Sequence, residues 1–336
     1  MCSERHPAVS IVVPAYNAQE YLPATIESIR SQSMTDFEVL LVDDGSTDST
    51  PGICDRAAAA DSRFKAIHAV NHGVAAARNL GVAHCTGKFI AFVDADDLLL
   101  TDALMTLHRL AETTGADIVA GGYVEGSEPP VSIDLNPKGG RNGDSNVAGC
   151  HPKTLSLAGV EALESGLLRR EVFLSLWAKI FRSQLLKPQR FTEGILYEDL
   201  DMLARIMPRA NLYVQTSEPV YFYRRHRRSI MRHWSEGLKD ALDVTDRLLV
   251  TLSPLSPSMR RAAADRRYSA HYFILGLMYR NGVGDPATVD RCMSVIKEHR
   301  REVLFNSRSR VRTRIGALVS YGGRPLIKLL SKIVYR

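Results

Sequence analysis

No stretch of the 336-residue chain approaches the roughly 20 consecutive apolar residues that a membrane-spanning helix requires, so no spanning segment is expected. The five cysteines, Cys2, Cys54, Cys85, Cys150 and Cys292, stand singly without any paired short spacing. They offer neither a zinc site nor a disulfide framework, and read as reduced thiols in a reducing compartment. The polar N-terminus reaches an apolar run within its first ten residues, which predicts no signal peptide. Internal repeats and low-complexity tracts are absent as well. Acidic residues are scarce at one end: between 301 and 336, Glu302 is the single acid against Arg301, Arg308, Arg310, Arg312, Arg314, Arg324, Lys328, Lys332 and Arg336. With a net charge of +6 for the whole chain, the remainder is slightly acidic. These absences predict a cytoplasmic protein with at most peripheral contact on the inner face of the cell membrane.

What is present is a globular composition, 45% apolar and 24% charged, long enough for one large or two modest domains. Apolar, β-branched runs at 9–14, 37–42, 64–69, 88–93 and 117–123 read as buried strands, with Pro14 ending the first. Helical patterns at 18–31, 47–60, 73–85 and 101–114 alternate with them. The fold class is therefore α/β, a mainly parallel sheet flanked by helices on both faces. Residues 125–153, rich in Gly, Pro, Asn and Ser, read as a long loop. Helical patterning resumes from 156 to 186, short strands follow at 211–216 and 219–223, and the chain is helical beyond 236. Three segments result: 1–125 for nucleotide binding, 126–235 for the acceptor side, and 236–336 as a helical C-terminal region.

In such sheets ligands bind beyond the carboxyl ends of the strands. Asp94, Ala95, Asp96 and Asp97 follow one buried strand, and carboxylate oxygens suit Mn²⁺ or Mg²⁺. Alone, such a cluster serves equally well as a cap for the next helix. Asp43, Asp44, Gly45 and Ser46 follow another strand, where a turn needs only the glycine and leaves two adjacent acids unexplained.

Four motifs in order, VSIVVPAYN at 9–17, DDGSTD at 43–48, GVAAARN at 73–79 and DADD at 94–97, resemble the family 2 glycosyltransferases with the GT-A fold. The resemblance covers roughly the first 125 residues. It implies an inverting transferase that uses a nucleoside-diphosphate sugar, usually a UDP-sugar, with Mn²⁺ or Mg²⁺. Matched position by position, Pro14, Tyr16 and Asp44 frame the base, Glu20 lines its pocket, Arg78 approaches the nucleotide, Asp94 meets the ribose, and Asp96 holds the metal. In the second half Trp177, Lys179, Glu198, Asp199, Arg224 and His226, with Ser229, resemble the acceptor side of the polysaccharide-type members. There Asp199 is the expected general base, Glu198 orients acceptor or base, and Arg224 and His226 face the diphosphate. The expected acceptor is a glycan or a lipid-linked glycan.

Two rival functions fit the sequence less well. A sugar nucleotidyltransferase needs a glycine-rich, basic phosphate loop after the first strand, and residues 14–17 offer none. A non-catalytic nucleotide-sugar-binding protein need not keep both a metal acid and a base. Nucleic acid is not an expected partner, because the positive charge is terminal and lacks interleaved aromatics. The oligomeric state has no sequence signal. In the tail, Arg324, Lys328, Lys332 and Arg336 recur every four residues opposite Leu326, Ile327, Leu329, Leu330, Ile333 and Val334. That pattern suits a helix in an anionic membrane interface, or equally a helix docked on the protein.

Overall fold

The computed structural model describes residues 6–129, 146–148, 154–225 and 234–334. These form two compact units. The α/β unit takes residues up to Gly159, then Ser175–Gly194 and Ile206–Arg227; the helical unit takes Val160–Leu174, Ile195–Arg205 and Arg228–Arg336.

In the α/β unit, β1 (Val9–Ala15), β2 (Phe37–Asp43), β3 (Phe64–His68) and β4 (Phe89–Phe92) alternate with α1 (Leu22–Arg30), α2 (Thr50–Ala60) and α3 (Val74–His84). After β4 come β5 (Leu98–Leu99), α4 (Ala103–Thr114), β6 (Ile118–Gly126), β7 (Asn146–Ala148) and β8 (Leu155–Leu157). Further along lie β9 (Lys179–Arg182), the single turn α6 (Ser183–Leu186) and β10 (Tyr213–Arg224). The sheet order is β3-β2-β1-β4-β9-β6-β10-β5, with β7 on β6 and β8 on β10. The expected α/β architecture holds, and the sheet is mixed. Strands β3, β2, β1 and β4 are parallel, as are β6 and β10, while β9 runs antiparallel between β4 and β6.

Four local expectations change. β1 continues through Pro14 to Ala15, because its pairing with β4 stops at Val12 and Phe92 and the missing N–H of Pro14 breaks no ladder bond. Residues 155–157 and 179–182 are strands rather than helix. The central position of β9 buries Ile180 and Phe181 completely, which overrides their helical spacing. The two short strands expected at 211–223 are one strand with an irregular register around Pro219. Part of the expected loop, Asn146–Ala148, is a strand on β6.

The helical unit contains α5 (Gly159–Leu167, from Val160 onward), α7 (Glu198–Ile206, through Arg205), α8 (Asp240–Leu252), α9 (Pro257–Asn281), α10 (Pro286–Phe305), α11 (Val311–Val319) and α12 (Gly323–Val334). Leu242, Tyr268, Ile274, Leu275, Met278, Cys292 and Ile296 centre its core. Gly282, at φ 68°, ends α9 in the left-handed conformation at the turn read from the sequence. α12 packs inward through Ile327, 1% exposed, so its described part is a docked helix. No helix among the described residues is long and apolar enough to cross a membrane. Cys54, Cys85 and Cys292 are buried free thiols, each pushed up to about 12 by burial.

Candidate functional site

The loops after β1 and β2 are laced together. The Asn17 N–H donates to Ser46 Oγ at 2.9 Å, and its side-chain oxygen accepts from the Thr47 N–H at 2.9 Å. The Ala18 N–H donates to Thr50 Oγ1 at 2.8 Å, and the Gln19 N–H to Asp48 at 3.2 Å. Asn17 sits at φ 48°, a left-handed conformation that asparagine tolerates. Gly45, at φ 70°, is obligatory: a Cβ there would stand 2.7 Å from the Asn71 backbone nitrogen. Asp44 is 4% exposed, and its two oxygens accept from the His72 and Gly73 N–H groups, each at 2.9 Å. Each oxygen keeps a lone pair for a base N–H. Tyr16, 52% exposed, and Glu20 are open to solvent, and Pro14 is buried.

The acidic turn after β4 is braced from several directions. Arg78, buried on α3, donates to Asp94 Oδ1 at 3.0 Å and lies over the Phe191 ring at 5.9 Å. Its neighbour Asn79 holds the 191–193 segment, donating to Phe191 O at 3.0 Å and accepting from the Phe191 N–H at 2.7 Å. Thr25 Oγ1 shares its one proton between the carbonyls of Ala95 and Asp97, at 2.9 and 2.8 Å. Asp97, 1% exposed, accepts from Tyr221 Oη and from the Arg224 N–H, both at 2.8 Å. Burial, reinforced by the charges of Asp94 and Asp96, pushes the Asp97 carboxyl well above the usual carboxylate range. Arg224 Nε closes the turn by donating to Asp96 O at 2.9 Å.

Asp94 and Asp96 are left half-exposed on this turn. No three His, Cys, Asp or Glu side chains gather as a ready metal cage among the described residues. A Mg²⁺ or Mn²⁺ ion that takes its other ligands from water and substrate phosphate needs only one or two carboxylates, so these residues fit it.

Sequence reasoning missed Tyr221. Fully buried, it donates to Asp97 and accepts from the Asp94 N–H at 3.2 Å. The clue was the alternation of Tyr221 and Tyr223 on one strand face. With Tyr123, directly across from Tyr221 in register, they surround Trp177. The Trp177 ring stacks on Tyr221 at 5.0 Å and Tyr223 at 5.6 Å, and meets Tyr123 edge-on at 4.8 Å. Trp177 thus precedes a strand instead of riding on a helix, and Ala178 after it has φ 55°. Lys179, 2% exposed, donates to Ser175 Oγ at 3.3 Å.

Within the helical unit, Glu198, Asp199 and Asp201 occupy the first turn of α7, where the helix dipole favours acids. Asp199 Oδ1 accepts from the Leu200 N–H at 2.6 Å. Tyr197 immediately before them is at φ 69°, a strained conformation of the kind that clusters at functional sites. Arg266 on α9 is pushed down to about 9 by burial and by the charge of Arg169, with Asp199 and Tyr197 acting in the opposite direction. His226 and Ser229 lie outside the described residues.

A family model for glycosyl transferase family 2 matches residues 10–161. The glycosyltransferase GlyG of Streptococcus pneumoniae is 30% identical over 227 residues, which is 67% of this chain and 73% of GlyG. EpsH of Bacillus subtilis is 31% identical over 239 residues, 69% of this chain and 65% of EpsH. Of the glycosyltransferase GlyA of Streptococcus pneumoniae, the chain spans only 33%. The structure of S. aureus TarS 1–349 in complex with UDP-GlcNAc superimposes with a TM-score of 0.64 at 19% identity, covering 97% of this chain and 88% of that one.

Proposed function

Because the chain belongs to glycosyl transferase family 2, we propose that it transfers a sugar from a nucleoside-diphosphate donor to a hydroxyl of a glycan or lipid-linked glycan, in the building of a polysaccharide. The observation that carries this reading is the pair of preorganised strand-end loops: an acid-lined cradle around Asp44 and a braced acidic turn presenting Asp94 and Asp96. The UDP-GlcNAc in TarS supports a UDP-sugar as donor.

Tyr16 offers an exposed ring face to the base, and Asp44 a carboxylate to its ring N–H. Arg78 fixes the Asp94 carboxylate, and Asp94 meets the ribose. Asp96, with Asp94 beside it, would hold Mn²⁺ or Mg²⁺, which when bound stabilises negative charge on the departing diphosphate. Arg224, which already grips the Asp96 carbonyl, adds positive charge at the same turn. Asp199 takes the proton of the acceptor hydroxyl as that oxygen bonds to the anomeric carbon. The bond from that carbon to the diphosphate oxygen breaks in the same step, and one in-line displacement inverts the centre. Glu198 orients the acceptor, and Trp177 with its tyrosines supplies an aromatic wall.

A panel of nucleotide sugars, screened for thermal stabilisation and for turnover with Mn²⁺, tests the donor. Asp199→Asn should bind donor normally and lose about a thousandfold in kcat; an unchanged kcat would remove it as the base. Asp96→Ala should abolish the metal-dependent part of turnover, and full activity at saturating donor would sink the metal assignment.

A further inference from the structure

Half of the large apolar side chains that stand exposed among the described residues fall between 305 and 329: Phe305, Val311, Ile315, Leu318, Tyr321 and Leu329. Scattered exposed apolar groups are ordinary, but this concentration is not. On α11, Val311 (69% exposed), Ile315 (56%) and Leu318 (61%) recur at i, i+4 and i+7 and therefore share one face. The opposite face is covered. Gly316 and Ala317 are buried, and a Cβ on Gly316 would lie 3.4 Å from the Tyr272 ring. At 100° per residue, Arg312 and Arg314 fall on either side of the apolar stripe. Arg314 Nε donates to Leu304 O at 3.0 Å, and Arg312 is exposed. Arg308 and Arg324 are paired with Glu164 and Asp290, Arg310 Nε donates to the Arg169 carbonyl, Lys328 is exposed, and no acid occurs in the sequence from 303 onward.

We propose that the outer face of α11 is a membrane-docking surface. Val311, Ile315 and Leu318 enter the boundary between headgroups and acyl chains of an anionic bilayer, and Arg312 and Arg314 meet its phosphates. Charge decides between this occupant and a second copy of the chain. Arg312 and Arg314 flank the stripe within a stretch whose own sequence holds no acid from 303 onward, and an anionic lipid surface supplies the opposite charge, which a second copy of the same basic face does not. On the tail helix α12, Ile327 is committed to the core and Leu329 alone stands exposed among the apolar side chains of described burial, so the continuous stripe lies on α11.

Flotation of the full chain with vesicles of phosphatidylcholine, alone or mixed with phosphatidylglycerol, tests the proposal. The protein should float with the mixed vesicles and be released as salt is raised. Val311→Asn, Ile315→Asn and Leu318→Asn together should weaken binding about tenfold or more, and Arg312→Gln about fivefold. Neither change should alter donor hydrolysis measured without vesicles. Failure to float with either vesicle overturns the proposal, as does flotation of the triple variant equal to that of the parent. Conversion of a dimer to a monomer by the triple variant, seen by sedimentation without lipid, would assign the stripe to a second copy instead. If the triple variant melts early, Leu318→Ser alone, at an exposed position, decides by the same measurement.

Discussion

In the α/β unit the buried acids sit at strand ends and are tied to backbone N–H groups: Asp43 to Ser46, Asp44 to His72 and Gly73, Asp97 to Arg224, and Glu38 to Thr86. In the helical unit the buried Glu164 and Asp265 and the half-buried Asp246 lie on helix faces and are tied to other side chains. Asp246 takes Arg267 at 2.6 Å and Arg291 at 2.7 Å, Asp265 takes Ser309, and Glu164 takes Ser258 at 2.6 Å. A carboxylate bonded to backbone fixes the path of a loop, which a binding site demands. One bonded to an arginine across a helix pair fixes only the register of packing, and long side chains can re-form such contacts after a change. The first kind of bond builds a site; the second holds a scaffold.

Asp44→Ala should break this contrast most forcefully. It removes two part-buried, charge-assisted bonds from the His72 and Gly73 N–H groups, at about 3 kcal/mol, and should raise the donor KM; a melt within about 1 kcal/mol of the parent would show that the loop holds itself.

Acid titration separates the units next. Burial holds His271 at about 4, below its ordinary 6.5, so the stability it contributes is present above 6.5 and lost as pH falls to 4. Glu38 stands at about 2: burial opposes its charge, and Lys65, Ser10 and Thr86 outweigh that, so its contribution is present above 4.5 and lost as pH falls through 2. The His271 shift corresponds to about 3 kcal/mol, and that of Glu38 to less, because solvent screens its pairing with the exposed Lys65. The two tryptophans, Trp177 in the α/β unit and Trp234 in the helical unit, report separately once the other is replaced by Phe. Trp234 emission should change at the higher pH. Simultaneous change at both would show one cooperative transition and dissolve the distinction. The smallest effect is expected for Arg291→Ala, whose partly exposed guanidinium should cost under about 1 kcal/mol in a denaturant melt; a loss as large as that from Asp44→Ala would mean that the ion pairs of the helical unit do more than set packing.

The first four strands and the acids behind them were readable because each β-branched run stops at a polar cluster, a local signal. The centre of the site was not. Tyr221 reaches Asp97 only through a sheet in which residues 124 apart in sequence become neighbours. β9 was hidden for a related reason: Ile180 and Phe181 fit a helix face as well as a strand, and nothing in the identity of Ala178 announces φ 55°. In the helical unit the periodicity gave the helices, and the tail pattern allowed docked and membrane-bound helices alike. Only the burial of Ile327 beside the exposure of Ile315 separated α12 from α11.

The position of β9 also sets an order of assembly. Its flanking residue Ser183 bonds to Gly87, 96 residues earlier, and β9 itself fills the gap between β4 and β6. During synthesis the parallel strands β3, β2, β1 and β4 can collapse as soon as they emerge, but the exposed edge of β4 has no partner until residues 179–182 have been made. Closing that edge is the long-range event that contact-order arguments identify as slow. A nascent chain stalled before β9 would present the bare apolar edge of β4 to chaperones, and the edge of β6 stays open until residues 213–224 have followed.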